Sequence, residues 1–395
     1  MKVLMVNKFL YPKGGSETYI FSLGKLLEEH GHEVQFFGLK DERNTVGNHV
    51  NSLVDSMEFA DGIKKNLKAP FRIIYNGKAR KDIRLVLDDF QPDVVHINNI
   101  EFHLTPSILL EIDKWRKEMK KSCRIVYTAH DYQLVCPNHT MIGADQKPCK
   151  KCLDGHYTHC IQTKCLKNST MKSALGAADA CYWKHKNVYR LVDNFICCSR
   201  FLKEKLDTQP QYRGKTVALH NFDFVPKLNG IEKKNYVLYF GRMDAIKGVD
   251  TLINAAARMP EKEFVFAGEG PSAEKAKSVP NIRYVGFQSG EALYRLIAEA
   301  KLTVCPSEWY ENCPFSVIEA ISLGTPVAGA RIGGIPELIT EGKTGELFEA
   351  GDVDDMMRTI EKISAASEKY SASCSDADFE TAESYYNQLM KIYGA

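Results

Sequence analysis

No stretch of this 395-residue chain approaches the ~20 consecutive apolar residues needed to cross a bilayer, so a membrane-spanning helix is not its organising element. Its opening, Met1-Lys2-Val3-Leu4-Met5-Val6, reads as a strand rather than a signal peptide, and the expected compartment is the cytoplasm. Charge of one sign is also lacking. The 52 Lys and Arg against 50 Asp and Glu leave +2, which argues against a dedicated nucleic-acid binder. A G-x-G-x-x-G dinucleotide fingerprint is missing after the first strand. Cysteine is not scarce. Twelve of them, without a signal sequence, read as thiols or metal ligands rather than disulfides. The length exceeds one ordinary core, so two or three domains are expected.

What the chain does contain is a repeated strand–loop–helix pattern. Lys2 to Asn7 is a continuous apolar run, as in a parallel strand covered on both faces. A loop from Lys8 to Gly15, an amphipathic helix from Ser16 to Glu29 and a second strand in GHEVQFFGL follow. That opening predicts a doubly wound α/β domain. The loop carries Gly14 and Gly15 before Glu17; paired glycines let backbone approach a ligand, and helix N-terminal amides favour an anion. Two more buried strands, Pro92 to Asn99 and Arg124 to Asp131, end in His96, Asn98 and Asn99 and in His130 and Asp131. Ligands gather at such carboxyl ends in open α/β sheets. Ser199 suits the N-cap of the helix after it. Pro226 to Lys234 is polar enough to be a linker.

The pattern restarts at Asn235 to Gly241. Arg242 and Lys247 follow on one loop, and a forked guanidinium and a flexible ammonium at that spacing can both reach one diphosphate. Glu263 to Pro271, holding Gly268 and Gly270, and Asn281 to Gln288 are the next strands. Lys301 to Cys305 then runs into a polar turn with Glu308, Glu311 and Asn312. Pro314 is expected to begin a helix that turns Val317, Ile318, Ile321 and Leu323 inward and stops at Gly324 and Pro326. Free amides at Phe315 and Ser316 make a phosphate cradle, and the carboxylates of Glu311 and Glu319 can hold hydroxyls. That describes a site for a sugar nucleotide.

Two segments stand apart. Residues 64–84 hold eight cations against one acid, interleaved with apolar residues, and suit either an anionic membrane surface or a solvated face. Residues 136–165 hold Cys136, Cys149, Cys152, Cys160 and Cys165. The C-x2-C pair Cys149/Cys152 is a two-ligand knuckle, and four of the five thiols would complete a structural zinc site; unliganded thiols or redox disulfides are the alternatives.

The Glu311…Glu319 spacing with Pro314-Phe315 between and EAISLGTPV after, the P-x-G-G-x-E of Pro12 to Glu17, Y-T-x-H-D-Y ahead of LVCP, and G-R-x-x-x-x-K-G from Gly241 together resemble the retaining family 4 glycosyltransferases. The resemblance implies an α/β GT-B fold, two Rossmann-like doubly wound domains facing across a cleft. It divides the chain into an acceptor-side domain at 1–225 with the cysteine insertion, a donor domain at 226–375, and a final helix at 376–395 crossing back. It implies that Glu311 and His130 face the donor sugar and that Glu319 holds the ribose. Arg242 and Lys247 would clamp the pyrophosphate, with Gly14, Gly15, Asn312, Phe315 and Ser316 near the phosphates. Gly268 would line the cleft and Phe287 would border the base. The implied reaction moves a sugar, with retention, from a nucleotide-diphosphate sugar to a carbohydrate or lipid-linked hydroxyl acceptor in cell-surface polysaccharide or glycolipid assembly. No cofactor and no metal would enter the chemistry, and contact with the inner face of the membrane would be peripheral. A subset of the family carries a similar HDYxLVCP…C-x2-C insertion. The match is strongest from 235 to 350 and weakest from 40 to 90 and 136 to 190. The alternatives are a GT-B sugar-nucleotide epimerase, or a silent scaffold whose cysteine insertion binds a partner.

Overall fold

Segments such as KVLMV, VVHI and YVLYF are apolar at nearly every position, which a strand tolerates only when both of its faces are covered. The computed structural model, which describes residues 1–56, 69–222, 224–226, 228, 230–375 and 381–394, places them at the centres of two parallel sheets. The chain falls into two compact units. One comprises Met1–Ala144, Cys149–Leu219 and Glu383–Ala395; the other comprises Asp145–Pro148 and His220–Ala382.

In the first unit six strands lie in the order Glu33–Phe37, Lys2–Val6, Val94–Ile97, Arg124–Ala129, Asn194–Cys197, Thr216–Ala218, and every pairing is parallel. In the second the order is Ile282–Gly286, Glu263–Ala267, Tyr236–Phe240, Leu302–Cys305, Val327–Ala330, Gly345–Phe348, again all parallel. Each sheet is therefore built outward in two directions from a first strand. The chain reverses direction between Lys2–Val6 and Val94–Ile97 in one, and between Tyr236–Phe240 and Leu302–Cys305 in the other. Loops leaving neighbouring strands diverge at such a point and open a crevice at the carboxyl ends. The Gly14-Gly15 loop follows the first of these four strands, Arg242–Gly248 the third, and Pro306–Asn312 the fourth.

The helices begin where short polar side chains can cap them. Asn76 accepts from Lys78 N–H and Ala79 N–H, Ser169 from Lys172 N–H, and Ser199 from Leu202 N–H at 3.1 Å, as its position predicts. Pro314 stands one residue outside its helix, Phe315–Ser322, with extended backbone.

The unit boundary falls at Leu219/His220 rather than at 225, for a hydrogen-bonding reason. Leu219 N–H still bonds Cys197 O in the first sheet, whereas Asn221 donates to Cys313 O in the second unit. The last helix is Ala382–Tyr393, shorter than 376–395, of which 376–380 and 395 lie outside the described residues. It buries Tyr385, Leu389, Ile392 and Tyr393. Tyr393 Oη meets His96 Nδ1 at 2.6 Å, and Tyr385 Oη meets Tyr19 Oη at 2.7 Å. Deleting residues 382–395 should therefore lower the stability of the first unit by on the order of 5 kcal/mol, from lost apolar burial alone. Calorimetry on the shortened chain checks this, and an unchanged melting temperature would show the helix to be dispensable.

Candidate functional site

The second unit brings together the residues that follow its reversal point. Glu311 is buried, and three donors converge on its Oε1: Lys247 Nζ at 2.6 Å, Ser307 Oγ at 2.7 Å and Trp309 Nε1 at 2.7 Å. Burial alone would raise the pKa of this carboxyl, but the Lys247 charge and the three hydrogen bonds outweigh it and hold the group below its usual range. The Lys247 ammonium also lies 5.1 Å from the centre of the Trp309 ring. Two loops far apart in sequence are thus tied, and Glu308 N–H to Ile246 O at 3.0 Å is a second tie. Their approach explains why Lys247 and Glu311 share a site. Ser307 and Trp309 were not singled out from the sequence; nothing in a turn of mixed polarity marks which side chains will aim at a buried carboxylate.

Arg242 lies on the same loop as Lys247, but its side chain is 60% exposed and ion-paired with Asp244. Ser316 and Glu319 are half-buried and three residues apart on the helix Phe315–Ser322, so they share a face, while Val317, Ile318, Ala320 and Ile321 fill the core. Asn312 and Phe315 are half-buried beside them. Phe287, just past the end of Ile282–Gly286, leaves 68% of its surface in solvent. Gly268 serves backbone packing: at φ +150° a Cβ there would lie 1.8 Å from Gly241 O.

Gly333 supports Glu311 directly. Its φ is +61°, a Cβ would lie 2.3 Å from Glu311 O, and the next amide, Gly334 N–H, donates to that oxygen at 2.7 Å. Gly333→Ala should cost ~1–3 kcal/mol of stability and displace the loop carrying Glu311. Thermal unfolding and the donor KM, measured together, check both effects.

The first unit gathers a second set of groups. Gly14 and Gly15 are exposed at the start of the helix Gly15–Glu29, and Glu17 behind them is buried and receives Asn7 Nδ2 at 2.9 Å. His130 follows the strand Arg124–Ala129 directly, with Nε2–H donated to Asn98 Oδ1 at 2.8 Å, and its ring meets the Tyr19 ring edge-on at 4.9 Å. Burial lowers its pKa to about 4, so the imidazole is neutral. His96 is held between Thr128 Oγ1 and Tyr393 Oη, each at 2.6 Å. Asp131 pairs with His139 at 3.6 Å, and Lys8 with the buried Glu101 at 3.3 Å. Glu101, Asp131 and His139 form a compact acid–histidine group that the sequence reading passed over, because Glu101 and His139 lie on separate loops.

Cys136, Cys149, Cys152, Cys160 and Cys165 line one small cavity in the same unit. Of the basic stretch, 64–68 lie outside the described residues. Lys78 pairs with Asp82, Arg80 with Glu111 and Arg84 with Glu118, so these cations are engaged within the unit. No helix among the described residues is long and apolar enough to cross a membrane.

Comparison with known proteins agrees in both halves. The family described as Glycosyltransferase Family 4 matches residues 13–222, and that described as Glycosyl transferases group 1 matches residues 221–377. An uncharacterised 42.6 kDa protein in the cps region of Klebsiella pneumoniae is 23% identical over 360 residues, spanning 86% of this chain and 87% of its own. The sulfoquinovosyl transferase SQD2 of Arabidopsis thaliana is 35% identical over 142 residues, which is 34% of this chain but only 28% of that protein. Among solved structures, the Anabaena protein HepE in complex with UDP and glucose superposes with a TM-score of 0.66 at 15% identity, covering 100% of this chain and 99% of the other. The lipopolysaccharide outer core galactosyltransferase WaaB in its apo form gives 0.66 at 17%, covering 99% of each. At such identities these structures speak for the fold, and the fold they share is GT-B.

Proposed function

Because this chain belongs to glycosyltransferase family 4, whose profile covers more than half of it, and is a GT-B glycosyltransferase, we propose that it moves a sugar from a nucleotide-diphosphate donor to a hydroxyl acceptor with retention. The observation that carries this reading is the buried Glu311, ionised and held by Lys247, Ser307 and Trp309 at the reversal point of the second sheet. All three bonds go to Oε1, so Oε2 is the oxygen left to meet a donor-sugar hydroxyl. Lys247 and Arg242 neutralise the diphosphate, which draws Arg242 out of its exposed pair with Asp244. The amides of Phe315 and Ser316 cradle a phosphate, with Asn312 beside them, and Glu319, one helical turn on, takes the ribose hydroxyls. The exposed ring of Phe287 offers a stacking face to the base. Charge developing on the departing diphosphate is met by these fixed cations and dipoles, a term worth several kcal/mol where water is excluded. With that charge supplied by the chain, no metal enters the transfer step in this reading.

In the first unit, the exposed backbone at Gly14 and Gly15 borders donor phosphate and acceptor, and neutral His130, its one N–H given to Asn98, faces the donor sugar. A uridine nucleotide is the base to try first, since HepE was captured with UDP and UDP-glucose. A relative from a cps region and another named for lipopolysaccharide core synthesis favour an acceptor in a surface polysaccharide or glycolipid. Such an acceptor would draw the chain to the inner face of the membrane as a peripheral protein. Vesicle sedimentation tests that, and equal partitioning to anionic and neutral lipid would dismiss the electrostatic form.

The deciding experiment incubates the protein with a panel of labelled nucleotide sugars, with and without crude lipid-linked acceptor. Acceptor-dependent release of nucleoside diphosphate is expected. Donor turnover without acceptor would identify an epimerase instead, and no turnover of any donor would leave a scaffold.

A further inference from the structure

The loop between the first strand and the Gly14-Gly15 turn holds two adjoining aromatic rings, each with a cation against it. Phe9 and Tyr11 lie 5.6 Å apart between ring centres. The Lys13 ammonium sits 3.4 Å from the centre of the Phe9 ring, and the Arg43 guanidinium 4.0 Å from that of Tyr11. A further cation, Lys8, lies 5.6 Å from the Phe9 ring. Lys8 is neutralised by Glu101 at 3.3 Å, and Arg43 by Asp41 at 2.8 Å with a bond to Tyr11 Oη besides. Lys13 is not. No acid among the described residues lies within ion-pairing distance of this exposed residue. Glu17, the nearest acid in sequence, is buried and taken by Asn7 Nδ2 at 2.9 Å and Ser16 Oγ at 3.0 Å.

The surroundings do not favour Lys13 as a charge. Partial burial, then the like charge of Lys8, lowers its pKa from the usual 10.5, and Arg43 adds to the effect. A cation over a half-exposed ring gains little in return. An anion arriving from outside would relieve the repulsion. The segment also stands where ligands gather, past the carboxyl end of Lys2–Val6 at the reversal point of the first sheet and one residue before Gly14.

We propose that Phe9, Tyr11 and Lys13 form an acceptor subsite, and that the acceptor carries an anionic group, a phosphate or a carboxylate, which pairs with Lys13. On the reading that the first unit takes the acceptor, this adds the acceptor's charge. The aromatic faces receive the apolar side of a sugar ring, and the ammonium at their edge supplies a charge that a neutral sugar has no use for. The neighbouring charges set the direction. Beyond Lys8, the ligand atoms of Glu101, Asp131 and His139 lie within 4.8 Å of one another. Those acids are already balanced, Glu101 by Lys8 and Asp131 by His139 at 3.6 Å, so an anion gains nothing there and is drawn to Lys13. An acceptor so held turns its hydroxyls toward the wall that includes His130.

The test is calorimetry on the full chain with octyl glucoside, octyl glucuronide and glucosyl geranyl diphosphate as probes. At least one anionic probe should bind about tenfold more tightly than the neutral one, and Lys13→Gln should reduce that preference to about twofold while Lys13→Arg keeps most of it. The preference should also fall as salt rises past about 0.1 M, where the Debye length is about 10 Å. Tighter binding of the diphosphate identifies a lipid-linked acceptor, and tighter binding of the glucuronide an acidic saccharide. Equal affinities, no binding of either anion, or a preference unmoved in Lys13→Gln would overturn the proposal. So would displacement of the anionic probe by UDP, or a fall in UDP affinity in Lys13→Gln, since either puts the anion or Lys13 in the diphosphate clamp. Donor turnover without any anion preference sinks this subsite alone. An anion preference in a chain that turns over no donor sinks the transferase reading alone.

Discussion

Glu311→Gln is expected to lower kcat by about 10²–10³-fold while nucleoside-diphosphate affinity stays the same or tightens. The argument rests on what Lys247 does in each state. Without donor its ammonium is bound to Glu311 Oε1 at 2.6 Å, and the diphosphate must compete for that charge. Replacing the carboxylate with its neutral isostere frees Lys247 for phosphate but removes the anion that the proposed reading sets against the sugar. Binding and turnover should therefore separate, which a merely structural glutamate would not produce. The carboxyl is held below its usual range in the folded state, so its contribution to stability is present above ordinary carboxylate pKa values and is lost as pH falls through the lowered one. In Glu311→Gln that acid limb should flatten. Calorimetric affinity for a nucleoside diphosphate, steady-state kcat and a melting curve against pH make the three measurements. Wild-type turnover in the variant would remove Glu311 from the site.

The two-sheet architecture was legible because parallel strands covered on both faces must be apolar throughout. LTVC, VAGA and YVLYF announce themselves in any register. The loop residues Lys247 and Glu311 were legible as types at a spacing, and the structure adds that they touch. What escaped the sequence were contacts made by closure of distant segments. Ser307 and Trp309 gain a purpose only once Glu311 is buried between them. The hydroxyls of Tyr385 and Tyr393 matter because the last helix lies against Tyr19 and His96, hundreds of residues earlier. The ion pairs of the basic stretch escaped for the same reason: Lys78 has a visible partner one helical turn on in Asp82, but the partners of Arg80 and Arg84, Glu111 and Glu118, lie on another helix. Arg242 shows the limit in the other direction, since its spacing suits a diphosphate while its side chain rests on Asp244 in solvent.

His130→Ala should reduce kcat by ~10²-fold, and wild-type activity should show no histidine titration between about pH 5 and 8. Both expectations come from the same surroundings. Burial drives the imidazole pKa down to about 4, against a small opposing pull from Asp131. A histidine depressed in this way is neutral at working pH and cannot serve as a cationic acid. It can offer only a directed ring nitrogen, and its orientation is set by Asn98 on one side and by the edge-on Tyr19 ring on another. The stability consequence has a definite sign. Because the folded pKa lies below the unfolded one, near 6.5, the contribution is present above that value and is lost as pH falls toward 4. His96, lowered to about 3 by burial and by His130, steepens the same acid slope. His139 opposes it, since Asp131 raises its pKa against the burial that would lower it. Asn98→Ala should mimic part of the His130→Ala loss by freeing the ring, raising the donor KM less than it lowers kcat. A bell-shaped rate profile with an acidic limb near 6.5 that vanishes in His130→Ala would show a protonated imidazole at work, and would refute the neutral role argued from its burial.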